Sequence, residues 1–224
     1  MNTLTLQREN LHIVSTNSSL SRTNNYGYQP IAAGEYVTNF YLPAQHVVTK
    51  HSITGSLTRE TYISLQDFLD DQQPLVIAFL GAPGQAAVSV QQLEQLHVAV
   101  QNHGGKLLVV TAIEPKHLRR QLKQSNTLNI VYDKDNTVSE LFGLYDTQNP
   151  LWQWVSGIEE EEQSLPALYI ITADSKVAFA YADYNFSLFT SGSYALQTVT
   201  KELLNTVDEV SVQYQLPEAY KLVS

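Results

Sequence analysis

The pattern of apolar segments predicts an α/β protein. It is a three-layer sandwich whose mixed central sheet joins a βαβ unit to a ββα unit. Three observations carry the prediction. Residues 74–80 (PLVIAFL) and 106–111 (KLLVVT) are continuous apolar runs, as in strands buried on both faces. Between them Val90, Leu93, Leu96 and Val100 recur at helical spacing. Further on, residues 167–172 (ALYIIT) and 176–182 (KVAFAYA) flank the polar turn Ala173, Asp174 and Ser175, a hairpin signal.

Taken in order, residues 1–30 are polar and rich in Asn, Ser and Thr, and read as an extension that is disordered or lies along the domain surface. Order is expected from Ile31. Residues 63–69, ahead of Asp70 and Asp71, read as a short helix. The first buried strand follows and is broken by Gly81 and Gly84. The long helix runs from Ser89 to a stop at His103, Gly104 and Gly105, and the second buried strand completes a βαβ crossover. Glu114 and Pro115 open a helix with thin apolar content, Leu118 and Leu122, with proline at a tolerated first-turn position. A short strand at residues 129–132 leads into a turn, residues 133–136 (DKDN), that caps a helix carrying Val138, Leu141 and Phe142 and stopped by Gly143. After the hairpin, Leu196, Val199, Leu203, Leu204 and Val207 mark a last amphipathic helix. The organisation is therefore an N-terminal extension over 1–30, one domain over 31–210 and a C-terminal tail over 211–224.

Composition narrows the function. The 224 residues carry 13 Lys and Arg against 22 Asp and Glu, a net charge of −9, with no basic cluster. Nucleic acid is not an expected partner, because binding it needs Lys and Arg to displace counterions. A polybasic membrane contact is disfavoured likewise. No segment approaches the ~18 apolar residues of a membrane span, and the first twenty residues lack the apolar stretch of a signal peptide. The expected location is cytoplasmic. The chain has no cysteine, so it supplies no disulfide, thiolate metal site or thiol redox centre.

Other chemistries find little support. The six histidines are scattered, and no His-x-x-x-His or Glu-x-x-His pair presents two ligands on one helical face, so no metal site is expected. Asp133 and Asp135 lack the glycine and distal glutamate of a calcium loop and suit helix capping better. There is no Gly-x-Ser-x-Gly and no phosphate loop. Glu159, Glu160, Glu161 and Glu162 read as a solvated loop, since consecutive carboxylates repel and diverge. Catalytic residues and cofactors are accordingly predicted to be none. Trp152 and Trp154, the only tryptophans, alternate with Leu151 and Val155 in a connecting segment. They suit a cover for the core and a partner surface about equally.

The order of elements is the thioredoxin arrangement, and particular stretches resemble one branch of it. Residues 34–40 (GEYVTNF) with Leu42 and Pro43, residues 63–68 (ISLQDF), residues 131–136 (VYDKDN) with 141–144 (LFGL), and residues 165–171 (LPALYII) with 179–181 (FAY) occur in family order. Together they resemble the peroxiredoxin-like family, the alkyl hydroperoxide reductase and thiol-specific antioxidant (AhpC/TSA) group of the thioredoxin superfamily. Thr38 stands where that family usually has proline. The larger departure follows Phe79. The family places its peroxide-reactive cysteine at the helix start there, and this chain reads GAPGQAAV over residues 81–88. Ungapped, Gln85 and Val88 occupy the two cysteine positions. None of these side chains is a thiolate that could attack an O–O bond. The whole stretch has diverged, which points to natural loss of the site.

The resemblance implies a thioredoxin-like, cysteine-less protein that has lost thiol peroxidase chemistry and serves as a binding or interaction module. Its degenerate active-site positions are Pro83, Gly84, Gln85, Ala86, Val88 and Pro166. Pro166 aligns with the proline that is cis in thioredoxin folds, which raises the expectation of a cis bond above the ~5–6% base rate. A small anion at the helix start, aided by Gln85, or a protein partner in the groove against Pro166 are the expected occupants. A homodimer is expected from the resemblance. The alternative is an oxidoreductase or other enzyme that uses the same groove through a non-thiol group, a metal or a cofactor.

Overall fold

The computed structural model describes residues 27–49, 62–69, 73–81, 90–114, 128–153, 163–189 and 193–215. Its centre is a six-stranded mixed sheet. The strands, numbered in chain order, are β2 (Val47–Thr49), β4 (Leu75–Leu80), β5 (Lys106–Thr111), β6 (Asn129–Tyr132), β7 (Ala167–Ile171) and β8 (Val177–Ala182), in spatial order β2-β6-β5-β4-β7-β8. β4, β5 and β6 are mutually parallel, while β7 runs antiparallel to β4 and β8 antiparallel to β7. Helix α1 (Val90–Asn102) connects β4 to β5, and helix α3 (Tyr194–Gln215) follows the β7–β8 hairpin. These are the βαβ and ββα units that the apolar pattern predicts.

Every residue of β4 and β7 is buried, so their continuous apolar runs feed two separate cores. On one face Val76, Ala78, Leu80, Val109 and Ile170 meet Leu93, Leu96 and Val100 of α1 and Val199, Leu203 and Val207 of α3. On the other, Leu75, Ile77, Phe79, Leu108, Val110 and Tyr169 meet an N-terminal layer that includes Tyr28, Val37, Phe40, Ile63 and Leu65. Helix α2 (Thr137–Leu141) adds Val138 to that side, and Phe142 follows it there.

The N-terminal layer differs from the sequence reading. Residues 63–69 are predicted helical, yet Tyr62–Ser64 is a strand, β3, paired antiparallel with β1 (Tyr41–Pro43). Only Leu65–Phe68 winds, as a 3-10 turn closed by a capping box between Ser64 and Asp67. With Ser64 accounting for the cap, the apolar Ile63, Leu65 and Phe68 bury without a full helical turn. Strands β1 and β2 are three residues each and carry too little alternation to be read from sequence. The described chain also starts earlier than Ile31. Tyr28 is buried, and its hydroxyl donates to the Asn149 carbonyl at 2.8 Å. The predicted helix at residues 115–122 lies outside the described residues.

Two contacts tie the layers to the sheet. Residues 34–37 run antiparallel to the start of β8, with Gly34 N–H on Val177 O, Val177 N–H on Glu35 O and Val37 N–H on Ser175 O, each 2.8 Å. At Gly143 the backbone is left-handed (φ +67°), and a Cβ there would run into the Gln29 carbonyl and approach Pro30 Cα to 3.1 Å. The glycine both ends α2 and lets the incoming segment cross it.

Candidate functional site

Strand direction decides which residues meet. Parallel β4, β5 and β6 all end at one edge of the sheet, so Gly81, Thr111 and Asp133 follow one another along that rim. Antiparallel β7 begins at the same edge, opposite Phe79, and β8 ends there, because Ala167 pairs with both Phe79 and Ala182. Pro166 and Asp183 therefore join the rim. In open α/β sheets the carboxyl ends of parallel strands are where ligands bind.

Gly81 is pressed against the segment that leads into β7. A Cβ on it would collide with the Ser164 carbonyl and lie 2.7 Å from Pro166 N and 2.8 Å from Pro166 Cδ. Glycine is required by this approach rather than by its own torsion angles. The opposing segment is itself held: Leu165 N–H donates to Leu144 O at 2.9 Å, and Asp183 N–H to Pro166 O at 2.8 Å. Gln163, Ser164 and Leu165 are all buried.

The two rim carboxylates are committed to backbone. Asp133 is wholly buried and accepts from Val138 N–H (3.1 Å), Ser139 N–H (2.9 Å) and Ser139 Oγ (2.9 Å), so it caps α2 from three residues before Asn136. Burial pushes its pKa up, while the hydrogen bonds from Ser139 and Val138 pull it back. Asp183 accepts from Asn185 N–H (2.9 Å), Ser187 N–H (2.6 Å), Leu188 N–H (2.7 Å) and Ser187 Oγ (3.2 Å) and shapes the turn after β8. Tyr181, beside it on β8, is pushed up to about 12 by burial and by the Asp183 charge, so it stays a neutral phenol. Thr111 turns its hydroxyl to the Ile113 N–H at 3.1 Å. Asp133, Asp183 and Thr111 thus hold the rim's backbone in shape.

The sequence-predicted site residues divide sharply. Pro166 sits on the rim, and its peptide bond is trans, since no described bond is cis. The expectation of a cis bond is thus corrected. The trans chain leaves Pro166 O accepting from the Asp183 N–H at 2.8 Å. Pro83, Gly84, Gln85, Ala86 and Val88 lie outside the described residues, which resume at Val90. Trp152 falls in the 3-10 turn Leu151–Gln153, and Trp154 lies outside the described residues. Among the described residues, no group of three His, Cys, Asp or Glu could hold a metal ion. Sequence reasoning missed Ser164 and Asp183. Asp183 was findable, as an aspartate just past a strand with Asn185 and Ser187 following reads as a turn former.

A mixed sheet with this strand order, helices on one face and a glycine–proline contact at the carboxyl rim defines a thioredoxin-like domain. The sequence profile of the AhpC/TSA family matches residues 34–180, and the chain belongs to that family. No curated protein matches the sequence. Among solved structures, the chain is similar to the peroxidoxin BcpB of Mycobacterium tuberculosis, with a TM-score of 0.53 and 15% identity over 79% of this chain and 96% of that one. It is similar to Plasmodium vivax 2-Cys peroxiredoxin in its reduced form, at a TM-score of 0.56 and 13% identity over 83% and 85% of the two chains. Mycobacterium tuberculosis AhpC gives 0.53 and 12% over 80% and 91%. At such identities the likeness is one of fold. No described helix is long and apolar enough to cross a membrane.

Proposed function

We propose that this AhpC/TSA-family protein has lost thiol peroxidase chemistry and works as a binding or interaction module. One observation carries the reading: a chain of this family contains no cysteine anywhere in its 224 residues. Attack on a peroxide O–O bond in this fold needs a thiolate, and Gln85 and Val88 offer none. The described rim supports the same reading, because Asp133, Asp183 and Thr111 spend their polar atoms on neighbouring backbone. The module's binding surface is the groove between residues 81–88 and Pro166, with a small anion or a protein segment as its occupant. The pair Trp152 and Trp154 offers a second surface. A cytoplasmic homodimer completes the proposal.

The test is peroxide consumption by purified, metal-stripped protein with dithiothreitol or thioredoxin as reductant. Hydrogen peroxide and an organic hydroperoxide are both supplied. Turnover at the level of the buffer blank is expected, and robust turnover overturns the reading. Titration with inorganic phosphate, followed by amide chemical shifts, then examines the groove. Shifts confined to residues 83–88 and their Pro166 neighbours are expected of an anion site, and unmoved amides leave a protein segment as the occupant.

A further inference from the structure

We propose that Tyr169 anchors an internal binding site for one water-sized hydrogen-bonding molecule, which bridges its hydroxyl to that of Tyr184. The ring of Tyr169 is fully buried on the N-terminal face of the sheet. It packs edge-on against Phe142, with centroids 4.9 Å apart, and against Phe79 at 5.9 Å. Those two contacts are satisfied by any aromatic ring, and its companions in the cluster are phenylalanines. The hydroxyl is what distinguishes position 169.

That hydroxyl is buried and has no hydrogen-bond partner among the described residues. Buried polar groups in native structures are nearly always paired, with protein or with ordered water. The surroundings fit a guest. Directly across from Tyr169 on β8 stands Ala180, and the next pair towards the rim on the same face is Ala167 with Ala182. All four residues belong to the same side of the sheet, where Tyr184 also packs. The side chains flanking the phenol on the sheet are therefore small. The charged or titratable neighbours that act on the phenol are Tyr184 and Glu35. One Glu35 oxygen already accepts from Ala32 N–H at 2.7 Å. An internal water needs two to four polar partners, and the Tyr169 and Tyr184 hydroxyls supply two.

The experiment compares the full chain with Tyr169→Phe, Tyr184→Phe and the double variant. The ring is preserved in each, so packing is not the variable. If a molecule bridges the hydroxyls, Tyr169→Phe melts about 2–4 °C below the parent, the shift of one lost buried hydrogen bond in a chain of this length. The double variant then loses less than the sum of the singles, because the second removal acts on a bridge already broken. A crystal structure of the parent shows a density peak ~2.7–3.0 Å from Tyr169 Oη that is gone in the Phe variant. A Phe variant as stable as the parent or more so, strictly additive effects, or a Tyr169 hydroxyl bonded directly to protein overturns the proposal.

Discussion

Asp133 shows how one side chain can fix a helix that its own sequence barely supports. α2 spans only Thr137–Leu141, too short to persist by intrinsic propensity, and it starts from Asn136 in a left-handed conformation (φ +53°). The carboxylate satisfies the N–H groups of Val138 and Ser139, which would otherwise be buried and unpaired. Asp133→Ala is expected to cost about 1–3 kcal/mol, read as a lowered midpoint in urea. The pH dependence has a definite sign. Burial raises the folded pKa above the unfolded value of 3.8. The group's contribution is therefore fully present below that value and is lost as pH rises through the folded pKa. Parent and Asp133→Ala should differ most in acid and progressively less towards neutral pH, measured by urea unfolding at each pH.

Among the elements, the junction of β4 and β7 is the most constrained. Gly81→Ala places a methyl group against the Ser164 carbonyl and Pro166, both of them backbone or ring atoms that cannot swing aside. The expected cost is about 1–3 kcal/mol, and circular dichroism melts should show a lower transition. The central elements were legible in the sequence for a plain reason. LVIAFL and ALYII are buried on both faces, so hydrophobicity alone marks them. The 13 residues of α1 show their spacing over more than three turns. β1, β2 and β3 were not legible, because their pairing is set by tertiary contacts such as Leu65 N–H on Phe40 O. The rim was half legible. The position of Pro166 follows from the family resemblance, whereas its contact with Gly81 depends on where Asp183 and Leu144 hold the neighbouring backbone.

For the molecule as a whole, stability rests on noncovalent packing alone. With no cysteine in the chain, reductant and oxidant have no thiol or disulfide to act upon. The melting temperature is expected to be the same in dithiothreitol as in a thiol oxidant such as diamide. A shift between the two would point to a redox-active group other than cysteine. Attachment at the far end of the last helix adds to the noncovalent set: Tyr214, near the end of α3, receives the Ala173 N–H of the β7–β8 turn at 2.6 Å. The α1–β5 corner is joined to α3 by His103 Nδ1 on Asp208 Oδ1 at 2.7 Å and by Ser211 Oγ on His103 O at 3.1 Å.

The division of β4 and β7 between two cores has an evolutionary corollary. Neighbours in sequence such as Ala78 and Phe79 answer to different sets of partners, α1 and α3 for one and the N-terminal layer for the other. Selection acting on one side of the sheet leaves the other largely untouched, because the two sides communicate only through a shared, rigid backbone. Such a chain can discard an ancestral chemistry and remodel its N-terminal side while the helical side goes on holding the scaffold together. A sheet held from two sides in this way has two supports that can change one at a time.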